Sequence, residues 1–99
     1  MYMSREVMHC KPGGGANDLV AKFKQSAGVL KEMGYPPMRI FTDVSGENYW
    51  TVVTEQDIKT LDGMAEMSRR TLSDPKIAKV FKGYHDLVIE GHREFYKQE

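Results

Sequence analysis

Histidine, cysteine and glycine are the residue types from which a catalytic or phosphate-binding site would be built. All three crowd into one stretch, HCKPGGGAND at residues 9–18. A P-loop would need its last glycine followed by Lys and then Ser or Thr, so that backbone N–H groups and the lysine surround phosphates while the hydroxyl holds Mg²⁺. After Gly13, Gly14 and Gly15 the next lysine is Lys22, flanked by Ala21 and Phe23, and the pattern fails. The dinucleotide pattern G-x-G-x-x-G fails too, because Asp18 stands where the last glycine belongs and its charge would oppose a pyrophosphate. Asp18 suits the positive end of a helix instead. The glycines therefore read as a strand-to-helix corner that uses their backbone freedom.

Cys10 precedes Lys11, a neighbour that lowers a thiol pKa slightly. His9 is adjacent in sequence, but successive strand side chains point to opposite faces, so it is poorly placed to serve Cys10 as a base. His9, His85 and His92 fall in neither an H-E-x-x-H nor a Cys/His zinc spacing, and no metal or other cofactor is expected. The plain reading of His85 is a half-exposed helical residue after Tyr84. That of His92 is a strand-end residue near Glu90 and Glu94.

The elements that must position these groups follow from periodicity. Residues 2–10 alternate roughly between apolar and charged types and stop at Lys11-Pro12-Gly13, as a strand does. Ala16, Leu19, Val20, Phe23, Ala27 and Leu30 then fall at helical spacing, with Asn17 and Asp18 at the start and Gly34 and Pro36-Pro37 beyond the end. Residues 38–44 and 47–54 form two strands around a tight Ser45-Gly46 turn. Thr54 with Asp57 resembles a capping box, and Ile58, Leu61, Met64, Ala65, Ser68 and Leu72 trace a second helical stripe. Asp74-Pro75 marks a third helix start. Ile77, Val80, Phe81, Tyr84, Leu87 and Val88 give that helix an apolar face, Gly91 ends it, and residues 92–97 form a last strand.

Strand, helix, strand, strand, split helix, strand is the βαββαβ order of a ferredoxin-like α+β sandwich: one domain over residues 1–99, an antiparallel sheet, helices on one face. With Ser45-Gly46 as a two-residue loop, Val44 pairs with Glu47, Phe41 with Trp50, Arg39 with Val52 and Asp43 with Asn48. Phe41, Trp50 and Val52 then share the helix-free face with Arg39, Asp43 and Asn48, while Met38, Ile40, Thr51 and Val53 lie under the helices. The facing of the first strand stays open between Met3/Val7 and Ser4/Glu6/Met8 pointing inward. A Trp and a Phe exposed on a flat sheet mark an interface, and a second copy of the chain is the economical cover. The alternative is that Phe41 and Trp50 face the helices as ordinary core.

REVMHCKPG, the helix after it, the hairpin and the closing DPKIAKVF…GHREFYK segment together resemble the dimeric α/β-barrel superfamily. The likeness is to its NIPSNAP-like members above all, with the antibiotic-biosynthesis monooxygenases and the small haem-degrading monooxygenases beside them. The resemblance implies two sandwiches joined through their sheets into a barrel, with a cavity between them or within each half. In the haem-degrading members a helical histidine, a strand asparagine and a helical tryptophan surround the haem. His85 matches the first, Glu6 stands near the second position, and no helical tryptophan is present. The cofactor-free monooxygenases oxidise electron-rich aromatic substrates in apolar pockets, where polar groups steady a developing anion. Glu6, Arg39, Phe41, Asn48, Trp50, His85 and His92 are the candidate ligand-binding residues on that basis, with Tyr49 beside them and no catalytic residue assigned.

Fourteen basic residues balance fourteen acidic ones, without a basic run, which argues against nucleic acid as a partner. No apolar stretch is long enough to span a bilayer, the N-terminus lacks a signal core, and one cysteine leaves no internal disulfide; a cytoplasmic location is expected. The methionines are expected to fill gaps in core and seam. Two functions compete. One is a homodimeric barrel that binds a small apolar or aromatic molecule, with cofactor-independent monooxygenase-like activity as its enzymatic form. The other is a non-enzymatic stress-related or regulatory module whose barrel is filled by its own side chains.

Overall fold

Residues 2–10 form a strand half-buried along its length, with its inward face most covered at its C-terminal end. Met8 and Cys10 are buried, and β1 runs Tyr2–Cys10. The computed structural model describes residues 1–46 and 48–99. β1 turns at Pro12 into α1 (Gly15–Glu32) through Gly13 and Gly14 at φ 87° and 103°, values that L side chains rarely adopt. Asp18 lies in the first turn of α1. The helix ends in a Schellman motif: Gly34 N–H donates to Lys31 O and Tyr35 N–H to Leu30 O, at 3.0 Å each. Leu19, Phe23 and Leu30 are the buried stripe of α1, and Leu19 and Phe23 pack with Met8, Cys10 and Val52 in the core.

The remaining elements are β2 (Met38–Thr42), β3 (Thr51–Ile58), α2 (Leu61–Ser73), α3 (Pro75–Val80), α4 (Tyr84–Leu87) and β4 (Val88–Lys97). The four strands form one antiparallel sheet in the order β2-β3-β1-β4, with α1 on one face. This is the expected ferredoxin-like α+β arrangement. Asp74 caps α3 as its sequence suggests, its carboxylate accepting from Lys76 N–H at 2.8 Å.

Three expectations are corrected. The β2–β3 connection is not a two-residue turn but spans residues 43–50. Phe41 pairs with Val53 rather than Trp50, and Thr42 with Val52. The expected partner of Val44, Glu47, lies outside the described residues. A shift of three positions, from Trp50 to Val53, is odd and so turns β3 over. Val52, expected on the open face, is fully buried under the helices, while Val53 and Thr51 lie on the open side. Asp43 closes the ladder early by trading bonds with Thr51. Its carboxylate accepts from Thr51 N–H at 2.8 Å, and its own N–H donates to Thr51 O at 3.2 Å.

The second correction is that Thr54 and Asp57 do not cap a helix. Both lie inside β3, where Val52, Thr54, Gln56 and Ile58 alternate as buried residues. The N-cap is Thr60, whose hydroxyl accepts from Gly63 N–H at 3.0 Å. Third, Gly91 does not end a helix. It lies within β4 opposite Met8, where a Cβ would stand 3.0 Å from Val7 O and 3.3 Å from Met8 Cγ. The helical segment has already broken between Val80 and Tyr84 and stopped at Leu87.

Candidate functional site

β1 resolves with Ser4, Glu6, Met8 and Cys10 toward the helices, in register with Thr54 and Gln56 of β3 and with Arg93 and Phe95 of β4. This patch of sheet is polar, unlike the apolar floor that Met8, Cys10 and Val52 make beneath α1. α2 stands over it with Met64, Met67, Ser68 and Thr71 on one face, and none of its residues is buried. Polar floor and methionine-bearing helix do not close on each other. Between them, walled by Phe23 and Leu30 of α1, Ile77 of α3 and Phe81 just beyond it, lies a cavity of about 600 Å³. That volume is within the range of small-molecule sites, as is a mainly apolar lining with a few polar groups.

An ion pair is part of the lining. Arg93 Nε and Nη2 both donate to Glu6 Oε1, at 2.8 and 2.6 Å. Tyr84 and His85 adjoin this pair. Phe23, Phe81, Tyr84 and His85 follow one another edge to face, with ring centroids 5.3, 6.0 and 5.5 Å apart. A second cavity of about 430 Å³ shares Glu6, Tyr84, His85 and Arg93 with the first and includes Gly91 and His92. Burial, then the charge of Glu6, pushes the Tyr84 phenol above its ordinary value, so it holds its proton. Thr71 Oγ1, on the cavity wall, is buried without a hydrogen-bond partner among the described residues.

The structure thus brings Glu6 and His85 to the cavity; His92 borders the second cavity, but its side chain lies with the open face, Nε2 3.3 Å from Glu94 Oε2. Arg39 and Phe41 lie on the open sheet face, and Asn48 and Trp50 lie in the 43–50 connection, Trp50 at φ 61°. Tyr84, Arg93, Thr54, Thr71, Met64 and Met67 were not among the candidates. The buried alternation of Thr54 and Gln56, and the parity that Glu6 shares with Met8 and Cys10, were the signals that point to them.

The open face carries its own pattern. One row across all four strands alternates in charge as Arg39, Glu55, Arg5, Glu94. Arg5 Nη2 lies 2.8 Å from Glu55 Oε2, and Arg39 Nε lies 3.5 Å from Glu55 Oε1. Arg39 also binds both Asp57 oxygens, at 3.0 and 3.1 Å, which holds that carboxyl below its ordinary value. The adjacent row is Phe41, Val53, Val7, His92, with Phe41 47% exposed. His9 also lies on this face, its Nδ1 3.1 Å from Thr51 Oγ1, away from Cys10. Burial pushes the Cys10 thiol up, against nucleophilic use. Among the described residues, no group of three or more His, Cys, Asp or Glu is arranged to hold a metal ion. Among the described residues no helix is long and apolar enough to cross a membrane.

No protein-family model matches the chain, and no curated protein matches it either. Solved structures do. An uncharacterised NIPSNAP-domain protein from Burkholderia xenovorans superposes with a TM-score of 0.83 at 16% identity, covering 100% of this chain and 95% of that one. A NIPSNAP family protein from Agrobacterium tumefaciens gives 0.82 at 12% identity, covering 99% and 92%. A candidate antibiotic biosynthesis monooxygenase from Nitrosomonas europaea gives 0.73 at 13%, covering 99% and 98%. The chain has the ferredoxin-like fold of NIPSNAP-domain and monooxygenase-like proteins over its whole length.

Proposed function

We propose that the protein binds a small apolar or aromatic molecule, one per chain, in the cavity between α2 and the sheet, and that two copies pair through their open sheet faces. The observation that carries the binding reading is the cavity itself: about 600 Å³, mainly apolar, with Glu6, Arg93 and Tyr84 in its lining. An unfilled space of this size favours a binding site over a module packed with its own side chains. Pairing is supported by the exposed Phe41 row and by the neighbouring charge row, which is already neutralised within one chain and so costs less to cover than unpaired charges would. A single buried cysteine fits a reducing cytoplasm. Cofactor-independent monooxygenase-like oxidation is the enzymatic form of this reading by analogy of fold alone, and the site residues must carry it.

The test is titration with the neutral fluorescent dye phenylnaphthylamine. The dye is expected to brighten on binding, and Ser68→Trp, which places an indole in the cavity from a helix without buried residues, to weaken binding by about tenfold or more without lowering stability. Unchanged affinity in Ser68→Trp would place the dye elsewhere. Oxygen uptake with a bound naphthol separates an oxygenase from a binding protein.

A further inference from the structure

The ion pair in the cavity lining is lopsided. Both Arg93 contacts fall on Glu6 Oε1, and among the described residues Oε2 receives no hydrogen bond or ion pair. Arg93 already has its counter-charge, so the pair presents little net charge to a ligand while Oε2 keeps its capacity to accept. Three hydroxyl residues line the same cavity. Tyr84 retains its proton, Thr71 Oγ1 is buried without a partner among the described residues, and Thr54 is buried in the floor in register with Glu6.

We propose that Glu6 makes this site selective for a neutral hydroxyl-bearing apolar molecule over the corresponding carboxylate. The inference rests on the cavity being a binding site. A ligand hydroxyl donates to Glu6 Oε2 and accepts from a hydroxyl of the lining, so each polar group gains a partner without a charge being stranded. A carboxylate at the same place meets the Glu6 charge, and Arg93, whose charge already answers Glu6 and whose side chain is half exposed to water, offers it only a screened attraction in return. The apolar body lies in either case against the methionines and aromatic rings of the walls.

The experiment compares naphthalene, β-naphthol and β-naphthoate as competitors of phenylnaphthylamine near neutral pH. β-Naphthol is expected to compete at about tenfold lower concentration than β-naphthoate. Glu6→Gln should shrink that ratio to about threefold or less, mainly because the naphthoate gains. Arg93→Gln should widen it, because Glu6 is then left without its counter-charge. Opposite shifts in two variants of similar side-chain polarity separate charge selection from damage to the fold, which circular dichroism checks directly. Naphthoate competing as well as naphthol in the wild type, or a ratio unmoved by Glu6→Gln, overturns the selectivity. If dye and naphthalene both fail to bind, the cavity is not a ligand site, and the selectivity falls with it.

Discussion

Tyr84 belongs at once to the aromatic chain that starts at Phe23 and to the lining of the cavity. Burial first, then the charges of Glu6 and Cys10, favour its neutral form, and Arg93 opposes them. Its pKa is thus higher folded than unfolded, so the contribution is fully present below the ordinary tyrosine value and is lost as pH rises through the raised one. Tyr84→Phe is therefore expected to flatten the fall of stability between about pH 9 and pH 11, read from urea midpoints. An equally steep fall would show that Tyr84 is not held neutral by its surroundings. Glu6 was legible only as a resemblance to a position in a strand. Arg93, 87 residues away, could not be tied to it until the β1–β4 register was known, because pairing across a sheet is not written in local spacing.

Among the elements, α3 was legible through its chemical cap, whereas the Thr60 cap of α2 was hidden by the Thr54/Asp57 reading. Asp74 accepts from two backbone N–H groups, at 2.8 and 3.4 Å, as an aspartate before Pro75 should. Asp74→Ala is expected to cost about 1 kcal/mol in urea unfolding, and no loss would mean that Pro75 alone sets the start of α3. β3 was harder to read. Thr54 and Gln56 are polar but buried on the sheet, so their period of two was hidden behind a helical reading that began at Ile58. Leu72, given to the apolar stripe of that helix, is 85% exposed. The hairpin parity failed for a different reason. A Ser-Gly pair signals a turn but does not set the length of the loop around it, and here Asp43 and Thr51 close the ladder instead. The facing of β2 survived the error, with Met38 and Ile40 inward and Arg39 and Phe41 outward; that of β3 did not.

At the scale of the molecule, the fold order was legible because corners, caps and strand runs occur in sequence, whereas the cavity arises from a misfit between two elements. α2 offers methionines to a floor that carries Ser4, Glu6, Thr54 and Gln56, and neither surface specifies the gap between them. The opposite side of the sheet bears the proposed pairing. Phe41→Glu puts a charge into its apolar row, and is expected to turn a dimer into monomers in light scattering with the fold intact; an unchanged dimer would place the contact elsewhere. The chain's seven methionines, three of them on the cavity wall, test the cavity directly. With methionine methyl groups labelled for NMR, β-naphthol titrated into the protein should shift Met38, Met64 and Met67, which line the cavity, and leave Met1 and Met3 in place. Shifts confined to Met3 on the open face, or none at saturating ligand, would contradict a binding site between α2 and the sheet.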